Sequence, residues 1–134
     1  HEHAYARMTQ WEGGKRIPPI YTVSHCSPKF YRVQFDDRFA RFCTGTQIYQ
    51  HIALHGDTLS MNAYDARTGK LYDRVDLVKG MHDHPTIIDR GKDIPEILDF
   101  TPRPGNKKDA AFAERIRAYK AKKGLKPKSV NRSL

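Results

Sequence analysis

Residues 46–79 restrict the fold more than any other stretch, because three runs there alternate in hydrophobicity with the period-two repeat of a pleated strand. Ile48, Gln50, Ile52 and Leu54 interleave with Tyr49, His51 and Ala53. His55-Gly56-Asp57 then supplies a turn, with Gly56 available for a positive φ. Leu59, Met61 and Ala63 interleave with Ser60, Asn62 and Tyr64; Arg67-Thr68-Gly69-Lys70 turns again, and Leu71, Val75 and Leu77 mark a third run. The pattern predicts an antiparallel three-strand meander with one buried and one wetter face. Such a ribbon is marginal alone in water and needs a packing partner.

The flanking segments are less periodic. Residues 8–19 read as a loop, with Trp11 near Gly13-Gly14 and Pro18-Pro19 closing it. Ile20-Tyr21-Thr22-Val23-Ser24 is β-branched and aromatic, which predicts a short strand ending at Pro28. Between residues 29 and 45, Phe30, Tyr31, Phe35, Phe39 and Phe42 are interspersed with Asp36-Asp37 and with Arg32, Arg38 and Arg41. Aromatic and basic residues so interleaved make either a nucleic-acid stacking surface or a loop pinned to the core by aromatic anchors. The anchored loop is the expectation here.

From Gly80 the alternation dissolves. His82-Asp83-His84 is followed at once by Pro85 and reads as a loop pair of histidines. Residues 93–106 carry Pro95, Pro102 and Pro104 and read as an extended linker packed through Ile97, Leu98 and Phe100. Residues 108–123 predict a helix, with Asp109 and Glu114 early, basic residues late, Gly124 as a C-terminal cap and Pro127 beyond. Phe112, Ile116 and Tyr119 form a narrow apolar stripe on it, which predicts light docking or a surface outside the chain. The expected organisation is a body over residues 1–80, an extended linker over 81–107 and a basic helical tail over 108–134, of α+β class.

At 134 residues the chain can bury one modest core. Its net charge of +9 looks like a nucleic-acid signature until it is located. Residues 1–100 hold 13 basic and 13 acidic side chains, whereas residues 101–134 hold 11 and 2. The whole excess lies in the tail, so the body offers no charge argument for a polyanionic partner. The tail reads as a solvated basic segment, with weak binding of nucleic acid or acidic lipid as the alternative. No apolar run approaches the ~18 residues of a membrane span. Cys26 and Cys43 either form a single bridge or sit as small buried hydrophobes.

The chemistry is concentrated at the start, in His1-Glu2-His3-Ala4-Tyr5-Ala6-Arg7. In an extended backbone His1 and His3 point to the same side, and neutral imidazoles there suit one metal ion or two adjacent ones. Two nitrogens are too few for a catalytic centre, which needs at least three protein ligands or a bridged pair of ions. The sequence begins without an initiator Met, within what reads as a motif, and the expectation is an incomplete molecule.

That segment resembles the last metal-ligand motif of calcineurin-like metallophosphoesterases, especially the purple acid phosphatase branch, in which it typically reads Gly-His-x-His-x-Tyr-Glu-Arg. Pro19-Ile20-Tyr21-Thr22-Val23-Ser24, Gly56-Asp57-Thr58-Leu59 and the run from Ala63 to Asp73 are similar to the strand and final meander that follow it there. The likeness covers about residues 1–79. It implies that the chain is a β-rich C-terminal fragment of a metallophosphoesterase α/β sandwich, from a periplasmic or secreted enzyme. It further implies that His1 and His3 each ligate one ion of a dinuclear Fe, Zn or Mn centre, and that Tyr5 and Arg7 support them. Ala6 stands where the motif carries Glu, and no residue here matches the family's upstream Asp, Asn and His ligands. The expected activity is two-metal hydrolysis of phosphate esters, absent from this fragment alone and completed by polypeptide upstream of His1. No catalytic residue is assigned within the fragment. The rival expectation is a small β-rich binding module whose basic tail engages nucleic acid or acidic lipid.

Overall fold

A computed structural model describes residues 3–29, 32, 38–81 and 84–123. The chain divides into two compact units, His1–Asp99 and Phe100–Leu134. The first is built from β1 (Tyr5–Glu12), β2 (Lys15–Val23), β3 (Phe39–Cys43), β4 (Ile48–His55), β5 (Thr58–Asp65), β6 (Leu71–Val78) and β7 (Thr86–Asp89); the second contains α1 (Lys107–Lys122). The molecule is β-rich, with two antiparallel sheets and one C-terminal helix, a composition compatible with the α+β class. No helix among the described residues is long and apolar enough to cross a membrane.

The predicted meander is present as β4-β5-β6, and the sheet adds a strand that the sequence pattern concealed, giving the order β4-β5-β6-β7. β7 is only four residues, Thr86–Asp89, too short for alternation to announce it. Its pairing with β6 is set by Val75 opposite Asp89 and Val78 opposite Thr86. Gly80 makes the return possible, since a Cβ there would lie 2.1 Å from the His84 carbonyl oxygen. Turns at Gly56 (φ 57°) and Gly69 (φ 71°) use the positive φ that glycine adopts without penalty.

β6 departs from simple alternation. Ala63 pairs with Asp73 but Tyr64 pairs with Leu71, so Tyr72 is the extra residue of a β-bulge. The bulge turns both Tyr72 and Asp73 inward and leaves Leu71, expected on the apolar face, 37% exposed. Ile48, Ala63, Met61 and Val75 are buried as the alternation required. Ile52 and Leu54, on the same face of edge strand β4, stay 61% and 76% exposed because the cover does not reach the Gly56 end.

Residues 8–19 are not a loop. They complete a long hairpin of β1 and β2 around Gly13-Gly14, and the smaller sheet has the order β2-β1-β3. Pro18 and Pro19 misled the reading, since proline usually interrupts a strand. They are tolerated because β2 is an edge strand and the register slips beside them: Met8 pairs with Tyr21, but Gln10 pairs with Ile17. The Pro18-Pro19 peptide is cis. Trp11 lies exposed near the hairpin tip with the Arg16 guanidinium 4.4 Å from its ring centre.

Within residues 29–45, Phe39–Cys43 form β3 rather than loop, pairing with β1 from Tyr5 opposite Cys43 to Met8 opposite Phe39. Phe42 is fully buried and Phe39 stacks on it at 6.0 Å, so these two rings anchor the strand instead of offering a stacking surface. Phe30, Tyr31, Phe35, Asp36 and Asp37 lie outside the described residues. Both cysteines are free thiols; Cys43 is the small buried hydrophobe of the unbridged alternative, whereas Cys26 is exposed. Burial pushes the Cys43 thiol up to about 12.

Thr44 and Leu98 form a parallel bridge that ties the segment before Asp99 to the end of β3, with Ile97 packed on the central cluster of Tyr5, Cys43, Ile48, Ala63 and Tyr72. In the second unit, the Asn106 side chain caps α1 by accepting from the Asp109 N–H at 3.0 Å. The Asp109 carboxylate in turn accepts from the Arg103 backbone N–H at 3.1 Å and from its guanidinium at 2.7 Å. The cap was legible in principle as Asn three residues before Asp. Phe112 and Ile116 are both buried, with Phe100 edge-on to Phe112 at 4.6 Å. Gly124 and Pro127, the expected stop signals, lie outside the described residues.

Candidate metal-ligand segment and its buried support

β1 determines how the chemistry-bearing start of the chain is held. Its residues alternate buried and half-buried from Tyr5, which puts Tyr5, Arg7 and Thr9 on the interior face. His3 precedes that strand at the same parity. Its Nδ1 lies 3.0 Å from the Lys29 carbonyl oxygen, which can only accept, so Nδ1 is the donor in that contact. Holding one imidazole nitrogen on a backbone carbonyl is how metal-ligating histidines are commonly oriented. His1 lies outside the described residues, as does His82; His84 is exposed. Among the described residues no group of three or more His, Cys, Asp or Glu side chains is placed to hold a metal ion.

Tyr5 and Arg7 converge on Asp73 of β6. The Tyr5 hydroxyl donates to Asp73 Oδ2 at 2.6 Å, Arg7 Nε to the same oxygen at 2.8 Å, and Arg7 Nη2 to Oδ1 at 3.0 Å. Arg7 Nη2 also donates to Asp89 of β7 at 3.0 Å, and Arg41 Nε of β3 stands 3.8 Å from Asp73 Oδ1. The bidentate Arg7–Asp73 pair is almost wholly sequestered, with side-chain exposures of 0% and 1%. It welds the two sheets at the end where His3 sits. Gly91 closes the site from below: a Cβ there would fall 2.1 Å from Asp73 Oδ1, so any side chain would displace the carboxylate.

The electrostatics follow from that burial. Burial raises the Tyr5 hydroxyl well above the usual phenol range, and the Asp73 charge raises it further, so it stays a donor. For Arg7, burial opposes the charge, but hydrogen bonds and attraction from Asp73 and then Asp89 outweigh it and hold the guanidinium more firmly protonated than usual. Tyr72 is also raised by burial; its hydroxyl donates to the Phe42 carbonyl and accepts from the Ile97 N–H at 3.1 Å. Its ring carries the Arg41 guanidinium at 4.6 Å and meets Tyr5 edge-on at 6.0 Å. These groups position and stiffen; none offers a nucleophile or a proton-transfer group to solvent.

Two further carboxylates make the unit acid-sensitive. Burial raises Asp76, but bonds from Ser60, Arg90 and Arg74 more than reverse this and lower its pKa. Burial likewise raises Asp65, outweighed by the Arg67 N–H and the Thr46 hydroxyl. A carboxylate lowered on folding contributes stability above its unfolded value of ~3.9 and loses it as pH falls through the folded value. Denaturant midpoints are therefore expected to fall steeply below about pH 4. Asp65→Asn/Asp76→Asn should flatten that limb; an unchanged acid slope in the double variant would refute the assignment.

Asp73, Asp89 and Gly91 were not among the residues the sequence singled out, and neither was His25. The available signal for Asp73 was a carboxylate at an inward position of the third run, in step with Val75 and Leu77. His25 follows β2 and its ring centre lies 5.3 Å from that of His3. No family model, curated protein or solved structure matches the chain.

Proposed function

We propose that the chain is the C-terminal part of the catalytic domain of a metal-dependent phosphohydrolase of the calcineurin-like, purple acid phosphatase type. In this reading His1 and His3 each give an imidazole to one ion of a dinuclear Fe, Zn or Mn centre. The supporting observation is the His3 ring, whose Nδ1 is held by the Lys29 carbonyl. Tyr5 and Arg7, the next motif positions at the same parity, fix β1 to Asp73 and thereby hold the backbone that carries His3. Bound ions would supply a water of lowered pKa and neutralise phosphate oxygens. The chain's own contribution is to orient the His3 imidazole. The remaining ligands come from polypeptide preceding His1, since two imidazoles do not make such a centre. Export to the periplasm or the cell exterior accompanies this reading and rests on the resemblance alone.

The test starts from the coding sequence upstream of His1, where Asp-x-His, Gly-Asp and Gly-Asn-His-Glu/Asp motifs are expected in that order. An enzyme spanning both parts should hydrolyse p-nitrophenyl phosphate in a metal-dependent way. His3→Ala should lower its kcat by more than the roughly 10–100-fold cost typical of losing an outer partner of a ligand. Absent upstream motifs, metal-dependent hydrolysis by the 134 residues alone, or full activity in His3→Ala would each overturn the reading.

A further inference from the structure

Among the described residues the two sheets present four edges, β2, β3, β4 and β7, and all but one are blunted. β2 carries Lys15, Arg16, Pro18 and Pro19 and slips in register beside the prolines. β3 is covered by the segment before Asp99: the Ile97 carbonyl accepts from the Thr44 N–H at 3.0 Å, and the Glu96 carboxylate accepts from the Phe42 N–H at 2.7 Å. β7 is only four residues long. β4 has none of these guards. It runs for eight residues in unbroken register with β5, without proline, bulge or any Lys, Arg, Asp or Glu. Ile52 and Leu54 stand largely exposed on it. A strand of this kind is a template for one more strand.

The backbone of β4 alternates between its two sides. The Ile48 N–H points outward and donates to the His25 carbonyl at 3.3 Å, and the Ile48 carbonyl accepts from the Ser24 hydroxyl at 3.5 Å. By the same alternation Gln50, Ile52 and Leu54 turn N–H and C=O away from β5, and among the described residues no backbone group pairs with them there.

We propose that this edge is an isologous interface, at which β4 of a second copy of this chain adds antiparallel about a two-fold axis through Ile52. That register sets Ile52 opposite Ile52 of the copy, and Gln50 opposite Leu54 in both directions. It uses all the outward residues of each strand, for about six hydrogen bonds. The copy's strand ends at His55, opposite Tyr49, one position short of Ile48, where His25 already occupies the edge. On one face the Ile52 and Leu54 side chains of both copies form a single apolar cluster. On the other, His51 lies opposite Ala53 and His55 opposite Tyr49, so no like charges face each other directly. Charge selects the occupant. Charged residues make up 29% of the chain and are absent from β4, so a charged peptide finds no counter-charge there. The copy's strand is uncharged and matches by identity. One strand pair is a small contact, below ~1,200 Å2, which makes the dimer weak and concentration-dependent. β4 carries none of the residues assigned to the metal centre or its support, so the dimer stands apart from the phosphohydrolase reading.

The experiment is sedimentation of the chain over a range of loading from micromolar to several hundred micromolar. The mass should rise from 15.5 kDa toward twice that value. Ile52→Lys sets two like charges opposite each other at the axis and should weaken the dimer at least about tenfold, as should Ile52→Glu. An equimolar mixture of the two variants should recover the dimer, because Lys then faces Glu across the axis. Trp11→Lys, at an exposed apolar residue of the β1–β2 hairpin, should match the parent. A parent that stays monomeric throughout, a parent-like dimer in Ile52→Lys, or a mixture no stronger than either variant alone overturns the proposal. Amide hydrogen exchange of the unaltered chain guards against a variant that does not fold. The Gln50, Ile52 and Leu54 amides must gain protection as concentration rises; exchange there that ignores concentration is equally fatal.

Discussion

Asp73→Ala is expected to lower the stability of the first unit by about 3–5 kcal/mol, the cost of breaking a buried ion pair by removing one partner. Two groups lose an acceptor at once, the Tyr5 hydroxyl and the Arg7 guanidinium, and Arg41 loses a counter-charge 3.8 Å away. Arg7 remains fully buried, and its one remaining carboxylate, Asp89, is 28% exposed and reaches only Nη2. The sheets are joined through this carboxylate, so the loss should appear as a cooperative fall in the urea midpoint with little change in slope. Arg7→Met/Asp73→Leu should lose less than Asp73→Ala, since a buried apolar pair avoids the desolvation that an orphaned guanidinium suffers. A loss under about 1 kcal/mol in Asp73→Ala would mean that water or rearrangement already satisfies Arg7.

Tyr72→Ala ranks beside it, at about 3–5 kcal/mol for deleting a large buried aromatic. The ring is a hub: it supports Arg41, meets Tyr5, and its hydroxyl spans the Phe42 carbonyl and the Ile97 N–H. Tyr72→Phe separates the two contributions. It keeps the ring and strands those two backbone groups, for a smaller loss of about 1–3 kcal/mol. Thermal melts of the pair read the difference directly. Equal losses in both variants would place the whole effect in the hydroxyl, and no loss in Tyr72→Phe would show the backbone groups to be solvated.

Both predictions rest on a strand that alternation describes incompletely. The third run was legible because Val75 and Leu77 share a face. Leu71 continued that pattern in sequence and departs from it in space, because the Tyr72 bulge adds one residue and inverts everything before it. Pro18 and Pro19 erred in the opposite direction. They looked like punctuation, yet an edge position and a register slip let them lie inside β2. β7 was invisible because a four-residue strand has too few positions to declare a period.

The candidate site divides in the same way. His1 and His3 could be named from their spacing, Tyr5 and Arg7 only from the motif the segment resembles, and their shared parity on an extended segment followed from backbone geometry. Their partners could not. Asp73 lies 66 residues from Arg7, Asp89 82 residues, and Lys29 26 residues from His3. Local pattern carries no information about pairing over such separations. His25 carried no signal at all until the hairpin register placed it beside His3.

The sequence by itself determined the meander, its turns at Gly56 and Gly69, the helix over residues 108–123 and the confinement of excess charge to the tail. Each of these is written in neighbouring residues, through side-chain period, positive φ, charge placement and simple composition. Only the tertiary structure decided that Tyr5 and Arg7 are buried braces on Asp73, that Cys26 and Cys43 stay apart, and that two distant histidines meet. Those outcomes depend on which strands pair and in what register. A single bulge changes that register, and a charge survives in the interior only where the fold delivers its counter-charge.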